Sequence, residues 1–392
     1  MRLLFDLYAT QAIGRYKYNG GSEYVRRIFI DTVKRCDDST RVFCTYNSSY
    51  HLEDYLKEIC LENGIFLLDI AEIGISEHVR QNNIDKLYLG VIQRYDKLQL
   101  DDSVEVVMVC HDVRNLEIFP TREALWNLSD ISGFKNKVQL FAKWCFLELF
   151  LKLKARLIEN VYENMLHLAR RDKTYIVTDS SHTKYMMLSQ FSGIDKEKIK
   201  LFWAPEISYT ADRTCCKELL DQKYWLLVSA DRWEKNALPV IKALIRINDS
   251  RTDKMKLVLV GSLKNTNISS TIKKYEWITM YDYLERGKLE WLYANCAAFL
   301  YPSFVEGFGY PPIEAMKYNK PIIASATSSI MEVCGDAPLY MCPYNKFEIE
   351  ARLRSLLDTN LEDLSSRSRL RYQQIVKRQR QDLISLVDIV LS

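Results

Sequence analysis

The chain has 392 residues, 48% of them apolar, with 54 Lys and Arg against 51 Asp and Glu for a formal charge of +3. So even a balance gives no electrostatic reason to expect a nucleic-acid partner, and the length exceeds one typical core, so two domains of roughly 150 to 200 residues are expected. No run of 18 or more uncharged apolar residues predicts a membrane-spanning helix.

At the N-terminus, "MRLLFDLYAT" is too short in its apolar part to read as a signal peptide. "MRLLFDLY" instead opens a regular alternation of strand-length apolar runs and amphipathic helical stretches. "SEYVRRIFIDTVKRC" has helical period, "TRVFCTY" reads as a strand, "HLEDYLKEICLENG" as a helix with a glycine stop, and "IFLLDI" as the next strand. "VEVVMVCHD" and "KTYIVTDSS" are buried strands with polar tips. The second half repeats the pattern through "YWLLVSA", "NALPVIKALIRI", "KMKLVLVGS", "KLEWLYANC", "AAFLYPS", "PPIEAMKYN" and "PIIASAT". Such alternation predicts an α/β fold of two doubly wound, Rossmann-like domains with parallel sheets. The boundary falls near 201–214, dividing the chain into 1–205 and 206–392, with the last helix a candidate to cross back to the first domain. Ligands in such sheets bind beyond the carboxyl ends of the strands, where the polar tips His111, Ser180, Ser229, Gly261 and Ser303 fall.

Residues 134–171 depart from the alternation. They are helical in period, and Lys135, Lys137, Lys143, Lys152, Lys154 and Arg156 are interleaved with Phe141, Trp144, Phe146, Phe150 and Leu151. One reading is a long helix, bent or straight, packed on the first domain. The other is a basic amphipathic surface for peripheral contact with a membrane or a lipid-linked substrate. The ten cysteines form no C-x-x-C pair and the five histidines show no ligand spacing. They read as thiols in a reducing cytosol, and no metal site is expected.

The chemistry concentrates in "FVEGFGYPPIEAM", residues 304–316. Glu306 lies in a loop with Gly307, Phe308 and Gly309, and the Pro311-Pro312 pair suits the first turn of a helix. On this reading Glu314 falls in that first turn. Glycines let main chain approach a ligand, a helix N-terminus suits phosphate, and acceptor-only carboxylates suit vicinal hydroxyls. A ligand with hydroxyl pairs on either side of a diphosphate, a nucleotide sugar, satisfies all three.

"PSFVEGFGYPPIEAM" resembles the E-x7-E signature of retaining, GT-B fold glycosyltransferases of the family 4 kind (glycosyl transferases group 1). "KLEWLYANCAAFLYPS" and "KPIIASATSSIMEVCGDAPLYMCPYN" extend the likeness, which covers about 222–345 closely. Across 1–210 it is looser, carried by "YNGGSEYVRRI", "VVMVCHDV", "VTDSSHTKYMM" and "FSGIDKEKIKLFWAPE". The resemblance implies two Rossmann-like domains facing a cleft, the first for the acceptor and the second for the donor. It implies that Glu314 holds the donor ribose. Glu306, with the backbone N–H groups of Gly307, Phe308 and Gly309, would bind the transferred sugar. Lys235, in "DRWEKN", would neutralise the leaving diphosphate. Gly20 and Gly21 would admit the phosphates, and His111 would bond the sugar near its anomeric carbon. The family's usual Arg five residues before the Lys is Ala230 here, which leaves Arg232 as the substitute.

The resemblance further implies a metal-independent enzyme without cofactor, consistent with the lack of any D-x-D triplet. It would move a hexose-type sugar from a nucleotide sugar to a glycan or lipid-linked saccharide. The commonest setting is bacterial surface polysaccharide synthesis, in the cytoplasm or on the inner membrane face. Two other readings remain open at this point: a catalytically silent nucleotide-sugar-binding partner subunit, and a sugar-nucleotide epimerase on the same fold.

Overall fold

The computed structural model describes residues 1–13, 20–95, 98–129, 131–207, 212–261 and 263–392, apart from the side chains of 154–161 and 164. Tyr18 and Asn19 of the glycine-loop motif and residues 208–211 of the expected boundary lie outside them.

Among the described residues the apolar runs form two parallel sheets. The first comprises β1 (Arg2–Asp6), β2 (Arg41–Tyr46), β3 (Phe66–Asp69), β4 (Lys86–Leu89), β5 (Glu105–Cys110), β6 (Thr174–Thr178) and β7 (Ile199–Leu201). Their order is β3-β2-β1-β4-β5-β6-β7. The second comprises β8 (Tyr224–Val228), β9 (Lys256–Val260), β10 (Ile278–Tyr281), β11 (Ala298–Tyr301), β12 (Ile322–Ser325) and β13 (Leu339–Met341), in the order β10-β9-β8-β11-β12-β13. Strands such as "EVVMVC" and "YWLLV" are apolar on both faces because helices cover both sides of each sheet. In the first, Phe5 pairs in register with Cys44 and Tyr88 and stacks on the Tyr88 ring at 4.4 Å. Against the second, helix Ala237–Asp249 buries Leu238, Ile241, Leu244 and Ile247, the spacing of one helical face.

The chain divides into two compact units, Met1–Val113 with Arg156–Ser208 and Val376–Ser392, and Arg114–Ala155 with Tyr209–Ile375. A single division at 205/206 assigns 114–155 to the first domain, but its contacts are with the second unit. Ile131 N–H donates to Asn265 O at 2.7 Å, Asn267 Nδ2 donates to Trp126 O at 2.6 Å, and Lys242 pairs with Glu123. The terminal helical residues belong with the first unit. Gln379 Nε2 donates to Ala204 O at 2.6 Å, and Lys86 Nζ donates to Ile389 O at 2.9 Å.

In both sheets the strand order reverses once, between β1 and β4 and between β8 and β11. Chain leaving β8 turns one way and chain leaving β11 the other, which opens a crevice beyond their carboxyl ends.

Candidate active site

The two loops that leave β8 and β11 carry Lys235 and Glu306. After β8 the chain makes a tight turn through Ser229, whose φ is 56°, and then one 3-10 turn, Trp233–Lys235. Asn236 ends that turn in the left-handed region with φ 53°, and its Nδ2 donates to Pro343 O at 2.9 Å. Gly261, at the end of β9, lets the backbone pass close by. A Cβ there would lie 2.7 Å from Ala230 N. The loop after β11 is tied to this turn by Phe304 N–H donating to Glu234 O at 2.9 Å. Ser328 Oγ accepts from Glu306 N–H at 3.0 Å, and Ser329 Oγ donates to the carbonyls of Glu306 and Phe308 at 2.9 and 3.1 Å.

These ties bring Lys235 Nζ to 2.6 Å from Glu306 Oε1, with Lys235 4% and Glu306 6% exposed. Tyr301, the last residue of β11, completes a triangle. Lys235 donates to its hydroxyl at 3.3 Å and lies 5.0 Å from its ring centroid. Burial, and then the Glu306 charge, push the Tyr301 hydroxyl well up.

Beside the triangle, Glu234 holds two guanidiniums on one oxygen. Arg232 Nε donates to Oε1 at 2.8 Å, and Arg114 Nη1 lies 3.6 Å from the same atom. The field of this group is visible in both buried charges. Burial pushes Glu306 upward, yet Lys235, Arg114 and Arg232 outweigh it and hold the carboxyl below the ordinary range. Burial lowers the Lys235 ammonium, and Arg232 and Arg114 add to that against the opposing pull of Glu306. The carboxyl held down by three cations against its own burial marks the positive charge gathered here. Such a site suits an anion.

Glu314 takes other partners. Arg286 Nη1 lies 2.7 Å from its Oε1, and burial, with the Glu314 charge beside it, pushes the Tyr293 hydroxyl well up. Arg286 is itself held by the buried Glu290, which also pairs with Lys317 at 3.2 Å and with the Tyr318 hydroxyl. Helix Tyr310–Met316 begins one residue before the proline pair, with Gly309 as N-cap at φ 99°. Glu314 is therefore its fifth residue, past the first turn in which the proline signal places it. Gly307, Phe308 and Gly309 are buried.

In the first unit, His111 follows β5 with both ring nitrogens engaged. Nδ1 lies 3.3 Å from Asp179 Oδ2 and Nε2 lies 3.0 Å from Gly90 O, while the ring meets Tyr24 edge-on at 4.8 Å. Asp179 is pushed up by burial, and His111 opposes that shift. Gly20 and Gly21 are the first two residues of helix Gly20–Arg35 rather than part of the loop before it.

Residues 216–376 match the family model "Glycosyl transferases group 1". Over those residues the second unit is similar to that family. Over 91 residues the chain is 40% identical to the Escherichia coli O-antigen chain mannosyltransferase B, 23% of this chain and 24% of that one. Over 206 residues it is 27% identical to the O-antigen chain mannosyltransferase RfbU of Salmonella typhimurium, 51% of this chain and 56% of that one. The matches thus span about a quarter and about half of those relatives. The crystal structure of Anabaena HepE in complex with UDP and glucose superposes with a TM-score of 0.62 at 14% identity, covering 99% of this chain and 100% of that one. At that identity the likeness shows the fold, and the chain has the GT-B fold.

Three residues of this site were not legible as motifs. Tyr301 reads as an ordinary strand aromatic. Arg286 stands in a helix with no motif around it. Arg114 lies 120 positions before Glu234 in the chain, and nothing local to it points there.

Proposed function

We propose that the chain is a retaining glycosyltransferase. It moves a hexose-type sugar from a nucleoside-diphosphate sugar to a hydroxyl of a glycan or lipid-linked saccharide in bacterial surface polysaccharide synthesis. The observation that carries this reading is the buried Lys235–Glu306 pair beneath Arg232 and Arg114, at the strand-order reversal of a group 1 unit. Lys235 and the two guanidiniums neutralise the departing diphosphate, a charge that grows as the sugar–phosphate bond breaks. Glu306 and its loop face the transferred sugar, and Glu314, oriented by Arg286, accepts from the ribose hydroxyls. His111 takes the sugar-binding role that the resemblance implies, and Gly20 and Gly21 the close approach to phosphate.

The acceptor oxygen attacks the anomeric carbon from the face the diphosphate leaves, and a departing phosphate oxygen takes the acceptor's proton. The configuration at that carbon is kept, with no protein nucleophile, cofactor or metal required. The relatives' printed activities support mannose as the first donor to try, and the HepE complex supports a uridine nucleotide. Ten free cysteines, two of them exposed, suit a reducing compartment and a cytoplasmic site of action.

The test is a donor panel of GDP- and UDP-sugars with purified protein, read by nucleotide release and by NMR of the product's anomeric centre. Retained configuration supports the reading. Nucleotide binding without turnover on any donor supports the silent partner subunit, which the buried Ala230 at the family's usual arginine position favours.

A further inference from the structure

Helices Gly133–Cys145 and Leu147–Ala169 meet at Phe146, and of residues 133–153 only Leu140 and Leu147 are buried. The rest of that stretch includes many large apolar side chains. Phe134 is 84% exposed, Phe141 61% and Phe146 66%, and Val138, Leu149 and Leu153 are exposed as well. Their spacing is regular. Phe134, Val138, Phe141 and Cys145 recur at four, three and four residues, one stripe of a helix. Leu140, the one buried residue of this helix, points away from that stripe. Trp144, on the same side as Leu140, packs 6.2 Å from Trp126. Phe146, Leu149 and Leu153 continue the pattern at three and four residues in the following helix.

The charges of this stretch are mostly basic. Lys135, Lys137, Lys143 and Lys152 are exposed, and Glu148 is the one acid between 133 and 153. Lys135 and Lys137 flank the stripe on opposite sides, about 100° and 60° from Phe134 around the helix. Lys143 Nζ lies 5.3 Å from the Phe150 ring centroid. The side chains of Lys154 and Arg156 fall outside the described residues.

We infer that residues 133–153 form a docking surface for an anionic lipid bilayer, with the phenylalanine stripe entering the headgroup–acyl boundary and the lysines on the headgroups. Charge selects this occupant. A second copy would set four lysines and one glutamate against the same set, whereas anionic headgroups complement them. The surface lies on the bilayer rather than crossing it. No helix among the described residues is long and apolar enough to span a membrane. Docking does not depend on the proposed sugar chemistry, and the two are read by separate assays.

The test is co-sedimentation of the full chain with phosphatidylcholine vesicles, with and without phosphatidylglycerol. Wild-type protein should pellet with the anionic vesicles at low salt, and raised salt should release it. The triple variant Lys135→Glu, Lys137→Glu, Lys143→Glu should partition on the order of a hundredfold less. Phe134→Ser with Phe141→Ser should also lose binding. Both variants alter exposed groups, so nucleotide-induced thermal shifts should match wild type and show that the fold is intact. Wild-type protein remaining in the supernatant with anionic vesicles overturns the inference, as does equal pelleting with neutral ones. A concentration-dependent dimer that the Phe→Ser variants dissociate, without vesicle binding, overturns it in favour of a second copy.

Discussion

Arg286 Nη1 lies 2.7 Å from Glu314 Oε1, so the second carboxylate of the E-x7-E segment has a fixed orientation before any ligand arrives. Glu290, buried beneath, fixes Arg286 in turn. If Glu314 accepts from donor hydroxyls, Glu314→Gln should cost about 1.5–3 kcal/mol of transition-state binding, or roughly ten- to a hundredfold in kcat/KM. Arg286→Ala should lose less, because it removes only the orientation. The double variant should be no worse than Glu314→Gln alone, since residues in one network do not act additively. Steady-state kinetics of the three variants decide this. Fully additive losses would show that Arg286 acts elsewhere.

The Lys235–Glu306 pair makes stability and catalysis separable. Removing one partner leaves a buried charge uncompensated, which typically costs about 3–5 kcal/mol, while replacing both by apolar groups is often close to neutral. Glu306→Gln should therefore lower the unfolding midpoint as well as turnover. Lys235→Met combined with Glu306→Leu should recover the midpoint and remain inactive. Denaturant titrations beside donor-turnover assays check both halves. A stable, active double variant would remove these residues from the mechanism.

The same pair predicts opposite pH trends for activity and stability on the alkaline side. Burial first, then Arg232 and Arg114, lower the native value of Lys235 below the ordinary lysine value of about 10.4. Between the native value and that figure the unfolded chain binds the extra proton, so the Lys235 contribution to stability rises with pH. If that ammonium serves the leaving group, activity should fall across the same window as it is lost. Glu306 sets the acid side. Its lowered value means that its contribution is present above the unfolded carboxyl value of about 4.3 and is lost as pH falls through the native one. In Lys235→Arg the alkaline limb of kcat should move out of range, because a guanidinium does not deprotonate there. An unchanged limb in that variant would assign it to another group.

Local pattern carried the sheets and missed what depends on distant chain. Runs such as "VEVVMVC" and "YWLLV" are apolar on both faces, so their burial between helices follows from composition. Lys235 and Glu306 stand just beyond strand ends, where the strand-order reversal brings two loops together. The proline pair marked the helix near Glu314 correctly but not its first residue, because Gly309 at φ 99° sets the start one position earlier. Which unit holds 114–155 could not be read. An amphipathic helix announces that it has an apolar face, and here that face is largely exposed, with only Leu140 and Leu147 buried between 133 and 153. Arg114 was invisible for a related reason, since its meaning comes from Glu234, far along the chain.

Arg114 and Arg232 share the Glu234 carboxylate beside Lys235, and under the proposed function this arrangement predicts how a diphosphate charge is managed. If side chains provide that relief, transfer should survive EDTA at the full wild-type rate. Arg232→Ala and Arg114→Ala should each lower kcat by roughly ten- to a hundredfold, the range for a lost hydrogen bond to a charged group. Glu234→Gln should do the reverse to the local field, freeing both guanidiniums from their shared partner while no longer holding them in place. It should therefore tighten binding of the nucleoside diphosphate product and slow turnover, a split that loss of folding would not produce. Mg²⁺ or Mn²⁺ should leave all three variants unrescued. Complete loss of wild-type activity in chelator, restored by either ion, would transfer the role from these arginines to a metal.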